Sequence, residues 1–400
     1  MTLEPEGRDG APPRIAYVLG TTAGGTGPHV AMLAQGCAAR GMAVRVFGPA
    51  DTGRRYFPGG QDPALGRTGG GPGQPPGFTA VAIGDRPRPG RDLAAVLRLR
   101  RLLRDWSPDV VHAHGLRAGA FAALTGCPGA LVITVHNAPP AGAPGRVIHA
   151  TLERVTARRA DAVTWVSSDL GARMRRAGAR DGGRAVVAAP AFPAPAADQV
   201  AAAGATLGEA GAPAVFAAGR LTAQKGFGVL IDAAARWQGR DPCPRLAIAG
   251  AGPLAGALAS QARAVGVAVR FLGRRGDVPA LMAAADVVVV PSLWDGQPLV
   301  VQEALRSGRP LVASRAGGIP DLTGEDGALL VPAGDAVALA EAVMSVLGDR
   351  DLAARLRAAA TERSTALPGS GDAVDSAVAL YRRVLGGASG RAEQRMPKHS

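Results

Sequence analysis

The chain has 400 residues, 47% hydrophobic and 4% aromatic, with 45 basic and 32 acidic residues and a formal net charge of +13. That length suits two or three domains with sizeable cores. Three scattered cysteines (Cys37, Cys127, Cys243) exclude a disulfide framework or zinc spacing, and the lack of an uncharged apolar run of about 18 residues excludes a membrane span.

The charge is uneven. Residues 1–195 hold 24 Arg and 13 acids, net +11, and the remainder is close to neutral at +2. The basic half suits an anionic partner, a membrane surface or an acidic acceptor, or is simply a solvated surface. Nucleic acid is disfavoured, because no recognition motif or aromatic interleaving accompanies the charge. Few cysteines fit a reducing compartment, so the chain is expected in the cytoplasm, with peripheral contact at the inner membrane face. Lysine occurs only at Lys225 and Lys398, which singles out Lys225.

Met1 to Pro13 is polar, lacks a signal-peptide core and reads as disordered. Arg14–Leu19 is an apolar strand. It runs into the glycine-rich Gly20–Gly27 and a helix over 28–40, a layout for phosphate binding, close backbone approach or merely a tight turn. A strand at 43–47 precedes a Gly/Pro-rich stretch, 50–77, bearing Arg54, Arg55 and Arg67, which reads as a disordered insertion before it reads as a mobile loop reaching toward a partner. After a strand at 79–83, a helix over 91–105 sets Leu93, Val96, Leu97 and Leu103 against Arg98, Arg101 and Arg104; it suits a lipid surface or an ordinary core-facing role.

The strand at 109–113 ends in His112-Ala113-His114-Gly115. Histidines at i and i+2 point the same way on a strand, but no further metal ligands are evident. A strand at 131–135 leads to His136-Asn137, then a basic helix at 145–159 and a strand at 161–166. Ser167 to Asp169 caps the next helix. Residues 190–213, rich in Pro and Ala, read as a linker.

The second half opens with a strand at 215–219 and the loop Gly219-Arg220-Leu221-Thr222-Ala223-Gln224-Lys225-Gly226. Two cations five positions apart after a strand can grip a diphosphate from both sides. Strands at 245–249 and 269–272 run into Gly250-Ala251-Gly252 and Gly273-Arg274-Arg275. Val287–Val290 is β-branched and suits a strand buried on both faces. Pro291 ends it, and a loop with Asp295 leads to Pro298 in the first turn of a helix carrying Leu299 and Glu303. The two carboxylates lie eight positions apart. They could meet two ends of one ligand, or be solvated acids near a helix start. Strands follow at 311–313 and 328–331, with a helix at 335–348. Asp349-Arg350-Asp351 has a metal-like spacing but lies between helical patterns and reads as a cap. A helix at 372–385 precedes a polar tail expected to be disordered from 387.

Pro291-Ser292-Leu293-Trp294-Asp295-Gly296, then Glu303-Ala304 and Gly317-Gly318-Ile319-Pro320-Asp321, resembles the signature of retaining glycosyltransferases of family 4. Gly219-Arg220-Leu221…Lys225-Gly226 matches a second family motif. The family usually has Glu, one methylene longer, where this chain has Asp295, and its Pro-Asn-Gly turn is absent from the linker.

The resemblance implies a GT-B α/β fold: two doubly wound parallel-sheet domains, 14–190 on the acceptor side and 214–368 for the nucleotide-sugar, facing a cleft, with the last helix crossing back. It implies transfer of a hexose from a UDP- or GDP-sugar to a glycan or lipid-linked acceptor, with retention and without metal or cofactor, in envelope glycan or glycolipid synthesis. Arg220 and Lys225 would neutralise the diphosphate with the helix start at Pro298 and Leu299. Glu303 would hold the ribose, and Asp295 the transferred sugar. His114, supported by His112, would contact the sugar or acceptor hydroxyl. Gly24 and Gly25 would lie beneath the donor, with Gly250, Gly252 and Arg274 completing the nucleotide-sugar site. A GT-B epimerase or hydrolase, or a silent nucleotide-sugar-binding partner in a polysaccharide-assembly complex, remains open. An NAD dehydrogenase fails for want of an acid after G-x-G-x-x-G.

Overall fold

The computed structural model describes residues 11–21, 25–58, 71–126, 129–139, 143–189, 193–208 and 211–393, with side chains excepted at 143–144 and 388–393. Gly24, Cys127, Arg67 and the expected disorder of residues 1–10 lie outside the described residues. The chain divides into two compact units, one of Met1–Ala188 with Pro368–Ser400 and one of Ala189–Leu367.

Unit one is built on seven parallel strands: β1 (Arg14–Leu19), β2 (Ala43–Gly48), β3 (Gly77–Ala80), β4 (Val110–His114), β5 (Ala130–Val135), β6 (Ala162–Trp165) and β7 (Gly182–Arg184). Their order is β3-β2-β1-β4-β5-β6-β7. The chain winds one way from β1 and then the other, so β1 and β4 flank the point where the order reverses. Leu19 pairs with His114 there, and His114 with Thr134, which places both β4 histidines near the carboxyl edge.

Two expectations for this unit are corrected. The stretch from residue 50 is a helix at first, α2 (Ala50–Tyr56), after α1 (Thr26–Ala39). Pro49 precedes it in extended conformation. The Tyr56 ring fills space left by Gly27, whose added Cβ would stand 2.3 Å from it. A tertiary contact thus orders a sequence that reads locally as loop. The short β7 was not anticipated, because two of its three residues are glycines. Gly182 fits there since an added Cβ would sit 1.9 Å from the Val163 carbonyl oxygen. Helix α3 (Pro89–Trp106) packs Leu99, Leu103 and Trp106 inward and leaves Leu93 61% and Leu97 55% exposed.

Unit two has six parallel strands: β8 (Ala214–Ala218), β9 (Arg245–Ala249), β10 (Val269–Gly273), β11 (Val287–Val290), β12 (Leu311–Arg315) and β13 (Leu329–Pro332). Their order, β10-β9-β8-β11-β12-β13, reverses between β8 and β11. All four β11 valines are buried, and each such side chain contributes roughly 1.5–3 kcal/mol. The stretch read as a linker contains a helix, α7 (Ala197–Leu207), whose Ala203 and Leu207 join a core of unit two. Its alanine-rich sequence favours helix, and the core supplies the face it needs.

The last helix runs from Ser370 to Glu393, longer than expected. Gly386 and Gly387 fail to end it, because a glycine costs a helix only about 1 kcal/mol. It packs on α1 in unit one, with Ala373, Val374, Val378 and Tyr381 in the same core as Ile15, Tyr17 and Val30. Gly36 of α1 makes the approach close: an added Cβ would stand 2.4 Å from Val374. Gly36→Val should therefore lower stability by about 1–3 kcal/mol through overpacking, read as a reduced Tm in thermal denaturation.

Candidate active site

In unit two the loops leaving the carboxyl ends of five strands are joined main chain to main chain. After β8, Gly219 N–H donates to the Ala249 carbonyl at 2.9 Å and Leu221 N–H to Ala251 at 3.1 Å. After β9, Gly250 N–H donates to the Gly273 carbonyl at the end of β10, at 2.7 Å. Added Cβ atoms at Gly250 and Gly252 would lie 1.8 and 2.4 Å from the carbonyl oxygens of Gly219 and Leu221, so both glycines are required by close approach. The loop after β11 joins when Leu293 N–H donates to the Gln224 carbonyl at 2.9 Å. The loop after β12 joins when Gly318 N–H donates to the Asp295 carbonyl at 2.8 Å.

This bracing fixes the charged side chains. Lys225 ends a short 3-10 turn, Ala223–Lys225, and Gly226 follows with φ of +66°. The Lys225 ammonium forms an ion pair with the Asp295 carboxylate, to which Ser292 Oγ also donates at 3.4 Å. The resemblance implied that Lys225 meets the diphosphate and Asp295 the transferred sugar; the structure pairs the two with each other. Arg220 and Arg274 are exposed and bond no side chain among the described residues.

Pro298, expected within the first helical turn, stands just before α11 (Leu299–Arg306) in extended conformation. Its ring cannot donate, so nothing is lost there. Among the described residues no side chain caps this helix start, and no acid lies in its first turn. Backbone N–H groups are therefore left to meet an anion. Glu303, on the same helix, is half-buried; burial raises its carboxyl above the usual range, with Arg306 pulling it back. Asp349 accepts from the N–H groups of Asp351 and Leu352 at 2.9 Å and caps α14 (Arg350–Thr365), as its spacing suggested.

Unit one has a cavity of about 380 Å³ at the carboxyl ends of β1, β4 and β5, lined by Thr21, Asp85, His114, Arg117, His136 and His149 among others. Arg117 is already occupied, donating to the Gly84 carbonyl at 2.6 Å and to Asp92 at 3.0 Å. His114 Nδ1 and His136 Nε2 are 3.0 Å apart, and among the described residues His114 Nε2 is buried without a partner. His136 was noted in the sequence only as part of a loop. His29, on α1, completes a group with His114 and His136, with ring centroids 6.0 and 6.3 Å away. Nothing in local spacing announced it, since three separate elements bring these rings together. Gly25 stands immediately before α1, and its carbonyl accepts from His29 N–H at 3.1 Å.

His112 lies behind His114 at a ring-centroid separation of 4.2 Å and belongs to a buried polar chain. Tyr381 O–H donates to Tyr17 Oη at 2.9 Å, so His112 Nδ1, 2.7 Å from Tyr381 Oη, must be the donor to it. Its Nε2 then accepts from Thr134 Oγ1 at 2.7 Å. Burial pushes His29 down to about 4 and His112 and His136 to about 3. His114 falls well below its usual range, first by burial and then by repulsion from its neighbours. All four are neutral imidazoles near pH 7. Among the described residues no group of three or more His, Cys, Asp or Glu side chains is arranged to hold a metal ion.

Two doubly wound parallel sheets are the architecture of the GT-B fold. Sucrose-phosphate synthase from Thermosynechococcus elongatus matches at a TM-score of 0.75 with 22% identity, covering 94% of this chain and 100% of that one. HepE from Anabaena, solved with UDP, matches at 0.72 with 21% identity, covering 92% and 99%. Residues 212–349 match the family described as glycosyl transferases group 1, and residues 23–196 match glycosyltransferase family 4. A 2-deoxystreptamine N-acetyl-D-glucosaminyltransferase from Streptomyces fradiae is 31% identical over 330 residues, covering 74% of this chain and 76% of its own. The chain belongs to the family 4 glycosyltransferases.

Two outcomes follow from the buried histidines. Tyr381→Phe leaves the His112 Nδ1–H without an acceptor and should cost about 1–3 kcal/mol in denaturant unfolding. Each histidine's pKa is lower folded than unfolded, so below pH 6.5 the unfolded chain binds more protons. Stability should then fall as pH drops from 6.5 toward about 4, by about 2 kcal/mol per histidine between pH 7 and 5. Unfolding measured at the two pH values checks this, and His29→Asn should remove one histidine's share of the slope.

Proposed function

We propose that this protein transfers a sugar from a uridine diphosphate sugar to a hydroxyl of a small polyol acceptor, with retention of anomeric configuration. The observation that carries this reading is the braced set of loops in unit two, which presents Arg220, Lys225, Asp295 and Glu303 beside the open start of α11. In this reading Arg220, Lys225 and the helix start take the charge that develops on the departing diphosphate, so the site needs no metal for that task. Glu303 holds the ribose hydroxyls and Asp295 those of the transferred sugar, since a carboxylate is a strong acceptor. Gly250, Gly252 and Arg274 border the nucleotide. The acceptor hydroxyl attacks on the face the diphosphate leaves, and a phosphate oxygen takes its proton.

The uridine base is supported by HepE, solved with UDP and with UDP-glucose. N-acetylglucosamine as the transferred sugar, and a cyclitol-like acceptor, are supported by the Streptomyces fradiae relative, whose name states both. The cavity of unit one agrees with such an acceptor: its arginine is already bonded, Asp85 is exposed beside it, and its imidazoles are neutral. His114, with Gly25 nearby, contacts the sugar or the acceptor hydroxyl. A second reading, transfer to a lipid-linked acceptor at an anionic membrane, is favoured by exposed Leu93 and Leu97 beside Arg98, Arg101 and Arg104 on α3.

The test is nucleotide release from UDP-, GDP- and ADP-sugars without added metal, with and without 2-deoxystreptamine. A UDP-sugar should be consumed, and faster with the aminocyclitol. Lys225→Ala should reduce the rate at least about 100-fold, as loss of a charge stabiliser does. Failure of every sugar nucleotide to bind would sink the reading.

A further inference from the structure

We propose that Asp295 acts as a latch on Lys225, which lets the site distinguish a nucleotide-sugar from the bare nucleoside diphosphate and favours departure of the latter. This inference rests on the donor site assigned above. Its basis is that the cation meant for the diphosphate is already taken. Lys225 and Asp295 are paired, and their side chains retain only 21% and 11% exposure.

The pairing is built into the backbone. An added Cβ at Gly226, one residue past Lys225, would stand 1.9 Å from the Pro291 carbonyl oxygen. At Gly317 an added Cβ would stand 1.9 Å from the Asp295 carbonyl oxygen. Both glycines have positive φ, +66° and +55°, so they allow the approach as well as the turn. The hydrogen bond from Leu293 N–H to the Gln224 carbonyl ties the two loops between these points. Lys225 and Asp295 are thus held on facing loops at ion-pair distance. Asp, shorter than Glu, reaches Lys225 and Ser292 at the same carboxylate oxygen, Oδ2.

The consequence differs for the two ligands. A diphosphate drawing Lys225 toward itself leaves Asp295 without its cation and beside new negative charge. In a poorly hydrated site an unpaired carboxylate is costly. A nucleotide-sugar brings hydroxyl donors that replace the ammonium at Asp295, so both carboxylate and phosphate are satisfied. The bare diphosphate brings none. After transfer the sugar has gone, Asp295 recaptures Lys225, and the nucleotide loses its strongest contact. A purely structural pair would hold the loops together but give no such difference between ligands.

Calorimetric titration of the full chain with UDP, UDP-glucose and UDP-N-acetylglucosamine tests this. Asp295→Asn keeps the shape and the Ser292 contact but frees Lys225. It should tighten UDP binding by about 10-fold, in line with couplings of close charge pairs, while UDP-sugar binding changes little or weakens. Preference for UDP-sugar over UDP should therefore collapse. Adding Lys225→Gln to Asp295→Asn should abolish the gain. Asp295→Ser should show the same gain if the asparagine variant does not fold, as judged by circular dichroism. UDP binding that is unchanged or weaker in a folded variant, when the wild type binds UDP, would overturn the latch alone. A wild type that binds none of the three ligands would overturn the donor assignment and the latch with it.

Discussion

Parallel strand pairing is the constraint on which the rest depends. In an all-parallel sheet every strand ends at the same edge, so every loop that follows a strand is delivered to one place. Both sheets here are of that kind, and each reverses its strand order once, at β1/β4 and at β8/β11. His114 follows from the first arrangement, and Arg220, Lys225 and Asp295 from the second. Sheet topology brings each of these residues to the carboxyl edge of its own sheet.

The two units handle that edge differently. Unit two gathers loops by backbone contact, with glycines where one main chain presses on another. Charge is then held by charge, Lys225 against Asp295, and backbone N–H groups remain for an anion. Unit one gathers side chains. Its edge carries imidazoles held neutral by burial, backed by a fully bonded chain of Tyr17, Tyr381, His112 and Thr134. Neutral imidazoles cost less to bury than charged ones, which would cost several kcal/mol per ion, though His29 Nδ1 and His114 Nε2 have no partner among the described residues. The two edges therefore differ in kind: paired charges and a helix start in one, neutral hydrogen-bonding groups in the other.

The last helix belongs to this logic. The chain leaves unit two at residue 367 and adds its last helix, Ser370–Glu393, to the core of unit one, where Tyr381 bonds His112. A residue 269 positions away from His112 therefore settles which imidazole nitrogen carries the proton. Unit two lies between them in sequence, so the buried polar chain of unit one is complete only once the helix bearing Tyr381 has joined it.

Much of the architecture was legible in the sequence. Apolar β-branched runs such as Val287–Val290 mark buried strands because a strand covered on both faces tolerates nothing else. Arg220, Lys225, Asp295 and Glu303 stand after strand ends or inside a helix as their sequence positions suggested, but it was the resemblance to family 4 motifs, not local spacing, that singled them out. Asp349 likewise declared itself a cap. What escaped depended on distant partners. Helix α2 needs Gly27 to receive Tyr56, and α7 needs the core of unit two for Ala203 and Leu207. The pairing of Lys225 with Asp295, and the meeting of His29, His114 and His136, required loops and strands far apart in sequence to converge. Sequence determined which groups the protein has and at which strand ends they stand. Only the tertiary structure decided which of them touch, because contact between residues 70 positions apart is set by sheet order and close backbone packing rather than by anything local.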